Sequence, residues 1–147
     1  MTIKLEHHPE QKDIGVLITY PQKNKTVERI EAAIKSIDMQ IECHSGDALK
    51  LINASDINYI ESVDKTTVVF CENGNYKTKF RLYQLYEKLA DRGFIQISKY
   101  CIINISKLEK VRPLLNSHLE ATLSNGTCLH VTRKYLSGMK RKLQENE

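Results

Sequence analysis

The stretch FIQISKYCIIN, residues 94–104, holds two short apolar runs separated by the polar triplet Ser98, Lys99 and Tyr100. Apolar runs of four or five residues bounded by polar residues are typical of strands and are too short for a helix of ordinary length. The stretch therefore predicts two strands joined by a basic, polar connection.

Toward the N-terminus the same pattern of short apolar segments bounded by polar residues continues, near residues 41–43, 48–52, 57–63, 67–71 and 76–80. Turn signals break them at residues 45–47 and 64–66, and Asn73-Gly74 is a strong hairpin signal because both residues tolerate positive φ. A second pair, Asn125-Gly126, joins predicted strands at residues 119–123 and 127–131. We expect a mostly β (α+β) fold of small antiparallel sheets.

Two helices accompany these strands. One carries Leu82, Leu85 and Leu89 at helical spacing, and Gly93 follows it as a left-handed C-terminal stop. The other is basic and covers residues 133–143, with Leu136, Met139 and Leu143 predicted to face inward.

The first 38 residues are predicted to form an arm. The apolar run at residues 14–20, stopped by Pro21, predicts a buried strand, and an amphipathic helix starts near Thr26. Such a short segment cannot form its own core. We therefore divide the chain into a strand-helix arm, residues 1–38, and a main domain, residues 39–147, on which or on a second copy of which the arm packs.

Composition excludes several classes of protein. Cys43, Cys71, Cys101 and Cys128 stand singly beside apolar residues, which favours core packing over a metal or redox role. The chain has no signal peptide or membrane-spanning run and no motif of a phosphate loop or a catalytic triad. We expect a cytoplasmic protein that is not an enzyme and has no cofactor, metal or small-molecule substrate.

The net charge of +4 is modest, but the basic residues concentrate in the second half of the chain. From residue 77 onward these are Lys77, Lys79, Arg81, Lys99, Lys107, Lys110, Arg112, Arg133, Lys134, Lys140, Arg141 and Lys142. Such an asymmetry favours a polyanionic partner, because neutralising phosphates releases condensed counterions. A plain solvated basic surface remains the alternative.

Three polar, basic interruptions fall at predicted strand ends, at residues 64–67, 98–100 and 132–135. Loops at the end of a rigid β scaffold commonly display binding groups, and these carry donors suited to phosphates or base edges. Ordinary solvated turns are the alternative reading of each one alone.

Several blocks together resemble the LytTR DNA-binding domain in order and spacing, over roughly residues 39–143. They are DINYIES at residues 56–62, the Leu82–Leu89 helix after Tyr76, the stretch at 94–104, Leu108 with Val111, and residues 126–131 followed by Arg133, Lys134 and Tyr135. The resemblance implies stacked small sheets that insert loops, rather than a recognition helix, into successive major grooves of double-stranded DNA.

Carried over by matching motif, the resemblance implies base contacts from the three interruptions. The predicted DNA-binding residues are Lys65, Thr66, Thr67, Ser98, Lys99, Tyr100, Arg133 and Lys134, with Lys77, Lys79 and Arg141 on the DNA backbone. Arg133 is the best candidate to read a guanine, since its planar fork matches the O6 and N7 acceptors.

The chain departs from the family where many members have a His-Arg-Ser-like triplet in place of Ser98, Lys99 and Tyr100, and where they have a longer polar side chain than Thr67. It also has no room for the receiver domain that many members carry. It resembles the compact, receiver-free members, which suggests a homodimer on paired half-sites and a small membrane protein as a partner. The alternative is a protein interaction module that docks a membrane or signalling partner without binding DNA.

Overall fold

The computed structural model describes residues 1–144, which contain three α-helices and ten strands, with one α-helix before the strands, one between β5 and β6, and one after β10. In chain order they are α1 (Lys25–Ile37), β1 (Gln40–Ser45), β2 (Ala48–Asn53), β3 (Ile57–Val63), β4 (Thr66–Cys71), β5 (Gly74–Thr78), α2 (Leu82–Leu89), β6 (Phe94–Ser98), β7 (Cys101–Asn104), β8 (Leu108–Leu114), β9 (His118–Leu123), β10 (Cys128–Val131) and α3 (Arg133–Gln144). None of these helices is both long enough and apolar enough to cross a membrane.

The strands form two antiparallel sheets. The larger has seven strands in the order β2-β1-β5-β4-β3-β7-β6, and the smaller has three in the order β10-β9-β8. Most pairs of neighbouring strands are consecutive in the chain and form hairpins. In addition, β1 pairs with β5 and β3 pairs with β7. These two pairings between distant segments turn a series of hairpins into one sheet.

Two apolar cores lie on opposite faces of the larger sheet. One is closed by α2, whose Leu85 and Leu89 are fully buried, and the other by the smaller sheet together with α3. Adjacent residues of β6 divide between the cores, with Phe94 in the first and Ile95 in the second. A strand buried on both faces favours apolar side chains at successive positions, which explains why β6 is apolar except for Gln96 and Ser98, and why Cys101, Ile102 and Ile103 follow one another in β7.

Helix α3 is fixed to the rest of the domain by a lysine. The Lys142 ammonium donates hydrogen bonds to the Ala90 carbonyl at 3.3 Å and the Phe94 carbonyl at 3.0 Å. Burial, and then the charge of Lys25, lower the pKa of Lys142. The last turn of α3 is thereby tied to the segment between α2 and β6.

The prediction of a mostly β fold with short helices is confirmed, but the turns differ in detail. Residues 72 and 73 form the tip between β4 and β5, so Gly74 is the first residue of β5. The tight turn with positive φ at both central residues is instead Asp64-Lys65, with φ of 50° and 66°. The inward positions of β3 and β4 set this register, and burial outweighs the preference of the turn residues.

One strand was not predicted. Strand β8 lacks the alternation of apolar and polar residues and contains Pro113, which cannot donate to a ladder. Proline is tolerated because β8 is an edge strand that pairs only with β9 within the described residues.

Two expectations were wrong. Residues 14–20 form no strand, and Ile14 and Leu17 are 89% and 88% exposed, because the segment has no sheet edge beside it. Cys128 is exposed on β10, whereas the other three cysteines are buried as predicted. The predicted helix of the arm is confirmed as α1, and the division of the chain at residue 38 stays a prediction.

Candidate nucleic-acid interface

The first basic tip joins β3 to β4. Val63 pairs with Thr66, so the loop is the two residues Asp64 and Lys65, both exposed and both with positive φ. A left-handed conformation costs a non-glycine residue roughly 1–2 kcal/mol, and Asp tolerates it better than Lys. The sheet holds Lys65 in a conformation that a free chain would avoid, at the outermost point of the hairpin.

The second basic tip joins β6 to β7 through the exposed Lys99 and Tyr100. The Ser98 hydroxyl accepts a hydrogen bond from the Tyr100 amide at 3.2 Å. The Lys99 ammonium lies 5.5 Å from the centre of the Tyr100 ring. The tip therefore presents a cation and a phenol side by side.

A backbone hydrogen bond places the two tips next to each other. The Ser62 amide donates to the Tyr100 carbonyl at 2.8 Å, continuing the ladder in which Glu61 pairs with Cys101. The end of β3 and the start of β7 are thus adjacent. Lys65 and Lys99 project from neighbouring hairpins at the same end of the sheet.

Arg133 reaches this end by a separate route. It follows β10 and begins α3, and the Thr132 amide before it donates to the Ile97 carbonyl at 3.0 Å. Ile97 is two residues from Lys99 in β6. The exposed Arg133 side chain also donates from Nη2 to the Asn116 carbonyl at 3.2 Å. The three predicted interruptions therefore converge on one end of the larger sheet.

Lys77 and Lys79 extend the same end by one more strand. Thr78 pairs with Thr67, so the end of β5 lies beside the start of β4, and both lysines are exposed. Five strands from β5 to β6 span four spacings, about 19 Å at roughly 4.8 Å each. This width exceeds the major groove of B-DNA, about 12 Å. The end, which we call the basic end, can face more than one groove or a groove and its flanking phosphates.

Two predicted residues, Thr67 and Arg141, are not exposed at the basic end. Thr67 is 4% exposed and faces the core, because inward and outward side chains alternate along β4, so we remove it from the candidate contacts. Arg141 lies eight residues into α3, about 12 Å along the helix from Arg133. It lines a groove of about 530 Å³ between the helices, together with Lys134 and Lys142.

The sequence offered only a weak signal for one neighbour of Arg133. The turn between β8 and β9, residues 115–117, contains Asn and Ser, which is typical of a turn but does not indicate a binding element. The structure brings this turn to Arg133 through the Asn116 carbonyl.

Comparison with known proteins gives a family match. The family model described as LytTr DNA-binding domain matches residues 47–144. The sensory transduction protein LytT of Bacillus anthracis is 25% identical over 145 residues, which cover 95% of this chain and 59% of LytT. The chain thus spans less than two thirds of that relative. An uncharacterized HTH-type transcriptional regulator of Staphylococcus aureus (strain NCTC 8325 / PS 47) is 27% identical over 145 residues, covering 97% of this chain and 98% of the regulator.

A solved structure shares the fold. The LytTr DNA-binding domain of a Bacillus cereus protein superposes with a TM-score of 0.67 at 23% identity, covering 71% of this chain and 95% of that one. A helix-turn-helix, which the name of the Staphylococcus relative mentions, needs two consecutive helices. Along residues 1–144 strands separate each α-helix from the next.

Proposed function

Because the chain belongs to the LytTr DNA-binding domain family, we propose that it regulates transcription by inserting its basic end into the major groove of a specific double-stranded DNA sequence. One observation carries this proposal: backbone hydrogen bonds bring Lys65, Lys99 and Arg133, from two separate hairpins and the start of a helix, to one end of a rigid sheet. A solvated basic surface needs no such convergence.

The proposed roles follow from side-chain chemistry and position. Arg133 reads a guanine, since one guanidinium donor on Asn116 leaves others for the O6 and N7 acceptors. Lys99 and Lys65 reach base edges or phosphates with Thr66, Ser98 and Tyr100 beside them. The phosphate backbone is bound by the remaining basic residues, which set the register on the duplex: Lys77, Lys79, Lys134 and Arg141. Arg141 is the farthest of these along α3, about 12 Å from Arg133.

The test uses fluorescence anisotropy on duplexes that the wild-type chain selects from a random library. If at least four lysines or arginines neutralise phosphates, the logarithm of the affinity falls with the logarithm of salt with a slope of about −4 or steeper. Doubling the salt then weakens binding about tenfold or more. The selected duplex must also bind more tightly than a shuffled duplex of the same composition at every salt concentration. Equal affinities for the two duplexes would refute specific recognition.

The left-handed tip predicts opposite effects on stability and binding. Replacing Lys65 by Gly relieves the backbone strain, less the entropy that glycine adds to the unfolded chain, so we expect the unfolding free energy to rise by up to about 1 kcal/mol. The same change removes a cation, so DNA affinity falls and the salt slope becomes shallower by about 1. Urea unfolding and anisotropy measure the two effects.

Asp64→Gly is the matched control. It relieves strain in the same turn, where Asp64 has φ of 50°, but keeps the Lys65 side chain. Its DNA affinity should not decrease. A Lys65→Gly chain that binds DNA as tightly as Asp64→Gly would show that Lys65 does not contact DNA.

We further propose that two copies bind neighbouring half-sites, and that a small membrane protein controls the regulator. The segment available for such a partner is the arm, where Ile14 and Leu17 are exposed. The alternative function, a protein interaction module without DNA binding, would use the same segment. A chain that shows no sequence preference in the anisotropy test would favour that alternative.

A further inference from the structure

The turn between β8 and β9 is the part of the molecule nearest to Arg133 that has no role in the function proposed above. Its three residues, Leu115, Asn116 and Ser117, are all exposed. We propose that this turn is a fourth DNA-contacting element, in which the Asn116 side-chain amide binds an A·T base pair next to the one that Arg133 reads. The inference rests on the proposed function and adds a base pair to the recognised site.

Position is the first support. The Asn116 carbonyl accepts a hydrogen bond from Arg133 Nη2 at 3.2 Å, so the turn and the guanidinium lie side by side. Successive base pairs stack about 3.4 Å apart, a distance similar to that hydrogen bond. Because the side-chain amide belongs to the same residue as that carbonyl, the base pair next to the one that Arg133 reads is within its reach.

The turn is held firmly in this position. His118, which pairs with Leu114 to close the turn, is within hydrogen-bonding contact of His130, and their rings meet edge to face with centroids 4.6 Å apart. His130 lies on the strand that leads to Arg133. The turn and Arg133 are therefore fixed to each other from both sides.

The backbone of the turn is strained. Asn116 has φ 62° and ψ 37°, and the next residue, Ser117, has φ 59°, so two consecutive non-glycine residues are left-handed. Such conformations persist where the surrounding structure enforces them, and they concentrate at functional sites. The same feature marks Asp64 and Lys65 at the β3–β4 tip of the basic end.

The exposed groups suit an A·T pair. Among residues 1–144 the Asn116 side-chain amide has no hydrogen-bonding partner, so both its donor and its acceptor are free for DNA. Asparagine pairs in a bidentate manner with adenine N6 and N7, and apolar side chains contact the thymine methyl group. Leu115, 88% exposed at the same tip, is available for that methyl group.

The local charge permits approach to DNA. Residues 110–119 contain Lys110 and Arg112 and no acidic residue. The next residue, Glu120, is paired with Arg112 at 3.0 Å. No unpaired carboxylate in this segment therefore opposes a phosphate backbone.

The test compares the sequence preferences of the wild-type chain, Asn116→Gly and Asn125→Gly by selection from a random duplex library. Glycine at 116 accepts the left-handed backbone and keeps the carbonyl that holds Arg133, so only the amide is lost. We expect the preference for A·T at one position beside the guanine to fall about 5- to 150-fold, with the guanine preference retained. Asn125→Gly changes a turn at the opposite end of β9 and should keep the wild-type profile.

An Arg133→Ala chain separates this inference from the function on which it rests. If Arg133→Ala loses the guanine preference while Asn116→Gly keeps the complete wild-type profile, the fourth contact is refuted. The same result would be obtained if the turn bound a protein instead of DNA. If the wild-type chain selects no sequence at all, the proposed function itself is refuted.

Discussion

Replacing Arg133 by Ala is expected to weaken binding to the selected duplex by about 1–3 kcal/mol, or about 5- to 150-fold, and to abolish the preference for guanine at one position. The reason is geometric, because the guanidinium has two parallel donors that match guanine O6 and N7 and no other base pair presents the same pattern. Arg133 is exposed and fixed at the start of α3, so its loss should not unfold the domain. Anisotropy with each of the four base pairs at that position measures the effect.

Two further variants sharpen this prediction. Arg133→Lys keeps the positive charge but loses the two parallel donors of the guanidinium. Overall affinity for DNA should therefore be largely kept, while the preference for guanine is reduced. Arg29→Ala removes an exposed arginine from α1, which packs near the start of β3, about 20 Å along that strand from the basic end. Binding that falls equally for Arg133→Ala and Arg29→Ala would mean that only total charge matters.

The largest effect on stability is expected from Asn104, at the end of β7. Its side chain is 4% exposed, donates to the Ile57 carbonyl at 2.8 Å and accepts from the Ser106 amide at 3.0 Å and the Ser106 hydroxyl at 2.8 Å. It ties the end of β7 to the start of β3. Asn104→Ala removes a buried donor from the Ile57 carbonyl, which costs about 1–3 kcal/mol, and it also loses both bonds to Ser106. We expect the unfolding free energy to fall by at least about 2 kcal/mol and the Tm by about 4–8 °C.

Asn58 provides a matched comparison, because it is 1% exposed but its Oδ1 has no hydrogen-bond partner within residues 1–144. Removing an oxygen that already lacks a partner costs little, so Asn58→Ala should lower the unfolding free energy by about 1 kcal/mol or less. At temperatures where Asn104→Ala is folded, its base preferences should match the wild type. Equal destabilisation by the two variants would contradict the role given to Asn104.

Local chemistry explains which parts of the fold could be predicted. Strands and helices follow from the periodicity of apolar residues. Gly93 has the expected left-handed backbone, with φ of 85°, but α2 itself ends earlier, at Leu89, and residues 90–93 form a turn. The exposed arm and the edge strand β8 could not be predicted in this way. An apolar run becomes a strand only if a sheet edge lies beside it, and a run with proline can still pair from one side. Both conditions depend on neighbours that are distant in sequence.

Some residues of the candidate site could likewise be predicted from the sequence, and others could not. The types of residue at its tips, including Lys65, Lys99 and Arg133, were evident from polar interruptions between apolar runs. Thr67 was misplaced because a shift of one residue in register reverses the face that a side chain occupies. Asn116 was not identified, since its proximity to Arg133 joins two segments 17 residues apart in sequence.

By itself the sequence determined the class of fold, the positions of most strands, and the family, because turns, alternation and helix ends are encoded by residues only a few positions apart. Only the tertiary structure decided that β3 pairs with β7, that Thr132 joins Ile97, and hence that the basic tips meet at one end. The physical reason is that backbone hydrogen bonds between strands are the same whichever strands are paired. The choice of partners depends on burying both faces of the larger sheet at once, which is a property of the whole domain.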